Sequence, residues 1–155
     1  MTRLATGAPV AAAALAPILP DLFEALEGKP GHHGLVGSRC AHCERHFFPM
    51  QQRCPACHSD LQRCVFGEFG SIYSYTVVRT KAPFSLPEPY ALGYVDLADV
   101  KLRVFALLDP AAVGQLAVGA PVVLMALPLG ADAAGTPCMR PVFCLSPAAS
   151  TTEPA

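Results

Sequence analysis

The chain has 155 residues, 52% of them hydrophobic with alanine prominent, only 15% charged, and a formal net charge of −1. This length supports one compact domain with a small satellite module. The near-neutral charge argues against a generic nucleic-acid binder, which carries a basic surplus, and no apolar run reaches the ~18–20 residues of a membrane-spanning helix.

So few charges on so apolar a chain suggest that a partner covers part of its surface. Residues 1–20 combine Arg3 with the alanine stretch Ala11–Leu15, which mimics a secretory signal. Pro9 and Pro17 interrupt the segment, so it reads as a flexible Ala/Pro-rich arm. Residues 21–30 read as a short helix. Asp21 would cap it with Glu24 in a capping box, Leu22, Phe23 and Leu26 would form its apolar stripe, and Gly28 would stop it. A helix this short must dock, on its own domain or on a partner.

Residues 31–63 carry the strongest signal, the paired motifs Cys40-x-x-Cys43 and Cys54-x-x-Cys57. Zinc takes four deprotonated thiolates at tetrahedral corners, and each Cys-x-x-Cys turn supplies two of them. Residues 44–53 are long enough to bring the second turn beside the first. Two disulfides or a redox pair would use the same residues. Redox motifs usually occur singly on a βαβ background, and disulfides need an oxidising compartment. A structural zinc ribbon is the favoured reading, with a cytoplasmic location. Four thiolates leave no open position for catalytic water. His42, His46 and His58 lie close enough in sequence to replace a cysteine, although exposed loop histidines are the commoner case. So small a module needs its metal in order to fold.

Residues 64–145 turn to β patterning. Gly67–Thr80, Tyr90–Leu97, Lys101–Leu108, Pro121–Leu127 and Met139–Leu145 read as five short strands, with a hairpin at Ala98-Asp99-Val100. One long curved strand, a hairpin, a break and two further strands fit an OB-fold barrel. Gly67, Gly70 and Gly93 fall where such a barrel bends. Cys64, Cys138 and Cys144 sit in apolar contexts and read as core or near-core thiols. Residues 146–155 read as a disordered Pro/Ala/Thr-rich tail. The expected fold is therefore mainly β: a five-stranded OB-fold barrel preceded by a short N-terminal helix and a rubredoxin-like zinc ribbon.

The ordered set Cys40, Cys43, Pro49, Cys54, Pro55, Cys57, Gly67, Gly70, Tyr73, Thr76, Pro89, Tyr90, Gly119 and Pro141 resembles a family of small zinc-ribbon plus OB-fold proteins associated with acyl-CoA enzymes, formerly a domain of unknown function. The resemblance runs from about Asp21 to Leu145. Within that family the chain is most similar to the small zinc-finger subunit of thiolases that cleave bulky aromatic or dicarboxylic 3-oxoacyl-CoA esters, such as the benzylsuccinate-pathway (benzoylsuccinyl-CoA) thiolase of toluene degradation. The family often has glycine after the second cysteine of each knuckle; here Glu44 and His58 stand there. Phe-Pro-Pro-Arg in many relatives is Phe48-Pro49-Met50-Gln51, so no role of that arginine carries over.

The resemblance implies a non-catalytic accessory subunit of an acyl-CoA enzyme, in a hetero-oligomer with a thiolase-fold catalytic subunit, supporting assembly and the acyl-CoA channel. Coenzyme A would then lie at the interface, and its phosphates need cationic donors. The candidates are Arg79, Lys81, Arg103 and Arg140. Two relatives of this reading are an accessory subunit of a hot-dog hydratase and one of a hydroxymethylglutaryl-CoA-type synthase. An OB-fold binder of single-stranded nucleic acid is a different class. It would stack bases on Tyr73, Tyr75, Phe66 or Phe69 and meet phosphates with Arg79, Lys81 and Arg103. A purely structural module and an independent enzyme are two more. The last finds no paired carboxylates, phosphate loop or open metal site in the sequence.

Overall fold

The computed structural model describes residues 15–147. Residues 1–14 of the expected arm over 1–20, and most of the expected tail, lie outside them. Strands β1 (Phe23–Ala25), β2 (His33–Cys40), β3 (His46–Phe47) and β4 (Leu61–Phe66) form one antiparallel sheet. Strands β5 (Phe69–Val78), β6 (Tyr90–Leu97), β7 (Arg103–Leu108), β8 (Pro121–Ala131) and β9 (Pro137–Leu145) close a barrel in the order β5-β6-β7-β9-β8. Among the described residues, no helix is long and apolar enough to cross a membrane.

The barrel follows from period-two patterning. On β6 and β7 the inward positions Ala91, Val95, Val104 and Leu108 are buried, and they meet Ile72, Val122, Leu124 and Phe143 from the other strands. β5 is the long curved strand: it pairs with β6 along most of its length and with β8 at its start. A bulge between Ile72 and Ser74 bends it. Gly93 lies opposite that bend, where a Cβ would sit 2.1 Å from the Ser74 carbonyl oxygen. No larger residue fits so close an approach.

The expected helix over 21–30 is a strand instead. Phe23, Glu24 and Ala25 pair antiparallel with Leu35, Gly34 and His33. Asp21 has φ +56°, outside the extended region an N-cap requires. Residues 21–27 are too few to offset helix nucleation, whereas the edge of β2 offers ready backbone partners. Glu24 then reaches across β2 to pair with Arg63 on β4. The residues just before β1 are also held: Ile18 N–H donates to the Met139 carbonyl at 2.9 Å, and Met139 N–H donates to that of Ala16 at 2.8 Å.

The two sheets share a core. Leu35 of β2 and Phe66 of β4 are buried in the same cluster as Ile72, Val104, Leu124 and Phe143. The ribbon is thus rooted in the barrel at one end and carries its cysteines at the other. β7 and β9 pair only through Leu107–Val142 and Leu108–Phe143. Beyond that short closure the wall opens into an apolar cavity of about 250 Å³.

Candidate metal centre and neighbouring cation sites

The two knuckles are built alike. Glu44 N–H donates to the Cys40 carbonyl at 3.0 Å, and His58 N–H to that of Cys54 at 2.8 Å. Each chain then returns: Cys40 N–H donates to the Arg45 carbonyl and Cys54 N–H to that of Ser59, both at 2.9 Å. The return requires a left-handed residue after the second cysteine. Glu44 and His58 occupy those positions with φ +59° and +60°, where glycine is the unstrained choice.

Together the turns place four sulfurs in one cluster. Cys40 Sγ lies 3.5 Å from Cys57 Sγ, and Cys43 Sγ 3.5 Å from Cys54 Sγ. All four lie within 4.8 Å of one another. A tetrahedral ion with Zn–S of ~2.3 Å needs sulfur–sulfur edges of about 3.8 Å, so the donor set fits zinc. A disulfide needs ~2.05 Å, and all seven cysteines are free thiols. Cys40 and Cys54 are fully buried. Hydrogen bonds from the Ser59 hydroxyl and backbone bring the Cys57 thiol down to about 6, towards the thiolate a metal requires. For Cys43 a hydrogen bond from the Arg45 backbone lowers the pKa; burial and the thiols of Cys54, Cys40 and Cys57 outweigh it, and the thiol is pushed up to about 11. When bound, zinc supplies structural cross-linking between the knuckles rather than an open Lewis-acid position.

The candidate histidines stand apart from this cluster. His46 packs its ring edge-on against Phe66 with centroids 5.6 Å apart, and His42 and His58 are exposed. The remaining cysteines are packing residues. Cys138 and Cys144 are buried, burial pushes the Cys144 thiol up to about 11, and burial also raises that of Cys64.

The four candidate cations fall in different places. Arg79 and Lys81 are exposed, at the end of β5 and in the loop after it. Arg140 of β9 is half-buried, donating to the carbonyls of Leu129 (3.0 Å) and Ala131 (2.7 Å). Its guanidinium lies 5.7 Å from the ring of Phe84, in the same loop as Lys81. Arg103 belongs to the far end of the sheet: it pairs with Asp96, which pairs with Ser71, whereas Arg79 follows the Val78–Tyr90 pair. It also forms a two-pronged pair with the Asp96 carboxylate at 2.6 and 3.0 Å.

Two features escape sequence reasoning. Glu68, just before β5, accepts hydrogen bonds from Lys29 and His32 of the β1–β2 turn, joining ribbon to barrel. The apolar cavity brings together Leu22, Leu35, Phe105, Leu124, Arg140 and Phe143. No single segment announces either of them.

Comparison with known proteins agrees with this architecture. The family described as ChsH2, rubredoxin-like zinc ribbon domain, matches residues 29–64, and ChsH2, C-terminal OB-fold domain, matches residues 65–126. A solved structure described as Ltp2-ChsH2(DUF35) aldolase is 31% identical with a TM-score of 0.59, the match covering 72% of this chain and 84% of that one. A DUF35-family protein of unknown function from Sulfolobus solfataricus is 18% identical with a TM-score of 0.45, over 71% of this chain and 75% of that one. With ribbon and barrel families matched in tandem, and a relative at 31% identity covered over 84% of its length, the chain belongs to the ChsH2 (DUF35) family of zinc-ribbon and OB-fold proteins.

Proposed function

We propose that this protein is a non-catalytic accessory subunit of an enzyme complex acting on acyl-CoA, and that its catalytic partner is a thiolase cleaving a bulky 3-oxoacyl-CoA with free CoA. The observation that carries the accessory role is the match to a chain of an Ltp2-ChsH2(DUF35) aldolase over most of both chains. The side chains are consistent with it. The metal centre is closed by four thiolates, and Cys144 is a buried thiol held up to about 11 rather than an activated nucleophile. Acyl transfer needs a nucleophile with its base and oxyanion donors, and in this reading the partner supplies them. This chain contributes assembly and alignment of the acyl-CoA channel. Arg79 and Lys81, with Arg140 beside Phe84 of the loop that carries Lys81, are the proposed contacts for the CoA phosphates.

The aldolase relative supports a second reading, in which the partner breaks a carbon–carbon bond without free CoA. The two are separated by assaying the purified complex on a 3-oxoacyl-CoA and on a 3-hydroxyacyl-CoA. A thiolase consumes free CoA stoichiometrically on the first. A retro-aldol enzyme turns over the second and ignores added CoA.

A further inference from the structure

The outer face of β5, β6 and β7 is aromatic where an exposed sheet face is normally polar. Tyr73 is 51% exposed, Tyr94 46% and Phe105 57%. Tyr94 and Phe105 are register partners with ring centroids 5.1 Å apart. Tyr73 follows the inward Ile72 and so points outward, and the Arg103 guanidinium lies 3.2 Å from its ring centroid. Phe105 also lines the apolar cavity of about 250 Å³, together with Leu19, itself 56% exposed. The aromatic row and the cavity are therefore one continuous apolar surface. Singly exposed aromatics need no explanation, whereas a contiguous patch beside a pocket does.

Charge selects the kind of occupant. A nucleic acid on this face would need uncompensated cations for its phosphates. Arg103 is spent on Asp96 and on the Tyr73 ring, and Arg140, at the cavity wall, donates to the backbone carbonyls of Leu129 and Ala131. Paired charge amid Tyr, Phe and Arg is instead the composition of a protein–protein interface core. The cavity also suits a protein anchor, because roughly 150 Å³ of apolar space accepts a benzene ring. We infer that the face running from Tyr73 through Tyr94 and Phe105 to Leu19 is the docking surface for the catalytic subunit, one apolar side chain of which enters the cavity. This rests on the accessory-subunit reading and adds to it the surface through which the subunit acts.

The test uses the full chain, affinity-tagged and purified from its native host with its bound proteins identified by mass spectrometry. A photo-crosslinking p-benzoylphenylalanine placed at Tyr94 should join the chain covalently to the catalytic subunit of an acyl-CoA enzyme. Phe105→Ser and Tyr94→Ser should each lower the amount of that subunit recovered about tenfold or more. Zinc content and β-sheet signal should be unchanged, since both side chains face outward. Val118→Ser, at a residue 68% exposed outside this face, should leave recovery intact. Undiminished recovery with both serine variants would overturn the inference while leaving the accessory role standing. So would a crosslink to a second copy of this chain or to nucleic acid. If the wild-type chain brings down no acyl-CoA enzyme at all, the accessory reading falls and the docking surface with it.

Discussion

The guanidinium of Arg103 lies 3.2 Å from the centroid of the Tyr73 ring, reaching from β7 across β6 to β5. The contact depends on strand alternation, which points Tyr73 outward after the buried Ile72, and on Asp96, which holds the guanidinium by two hydrogen bonds. An arginine committed in this way braces the sheet face rather than standing as a free cation awaiting phosphate.

The proposed CoA site therefore divides the four candidate cations. Arg79→Ala with Lys81→Ala should raise the complex's apparent KM for CoA about tenfold, since a charge-assisted hydrogen bond is worth ~1.5–3 kcal/mol. Arg103→Ala should leave KM for CoA unchanged in whatever complex still assembles. Steady-state kinetics at saturating acyl substrate checks both. Equal effects at the two places would contradict the assignment.

The knuckles carry removable strain. Glu44 and His58 have φ of +59° and +60°, a conformation that costs a side-chain-bearing residue ~1 kcal/mol or more. Glu44→Gly and His58→Gly should each stabilise the ribbon by about 1 kcal/mol. Glu44 gives up only an exposed pair with Arg39, which contributes little. Denaturant unfolding of the zinc-loaded protein is the measurement, and a loss of stability in both variants would contradict the account.

Zinc loss should act regionally. Structural zinc contributes on the order of 10 kcal/mol of apparent binding free energy, so chelation or Cys54→Ser should unfold the loops around residues 40–60. The roots of β2 and β4 share the barrel core through Leu35 and Phe66, and the barrel should keep most of its β signal. Hydrogen exchange read along the chain, alongside one zinc per chain by elemental analysis, distinguishes this from global unfolding.

Glu68 sets an acid limit. Burial works to raise its pKa, but hydrogen bonds from Lys29 and His32 outweigh it and leave the carboxyl below its ordinary value. A carboxylate with a depressed folded-state pKa contributes stability above the unfolded value of ~4.3, and that contribution is lost as pH falls through the folded value. Glu68→Gln should lower Tm at pH 6–7, with the difference from wild type narrowing on acidification below about pH 4. A difference that stays constant with pH would show that the clasp contributes no ionic stabilisation.

What the sequence reveals of this molecule follows the range of the forces involved. The zinc centre is legible because each knuckle is local, and the left-handed positions of Glu44 and His58 are those where the family it resembles often has glycine. β6 runs over Tyr90–Leu97 as expected, since alternation and the preceding proline-rich loop bound it. β2 is hidden because Gly34 and Gly37 look like turn residues. Gly37 is instead required by packing: a Cβ there would lie 2.4 Å from the Phe47 carbonyl oxygen. β1 was disguised by a capping pattern that reads well only without the neighbouring edge of β2. The separation of Arg79 from Arg103, and the cavity beside Phe105, depend on strand register and barrel closure, which residue spacing does not encode.

The central claim is that this chain serves catalysis without performing it. The most direct measurement is turnover of a 3-oxoacyl-CoA with free CoA by the purified chain, by its co-purified catalytic subunit, and by the two recombined. The account predicts no turnover from this chain, little from the partner alone, and full activity on mixing. Turnover by the isolated chain, or undiminished activity of the partner without it, would contradict the account.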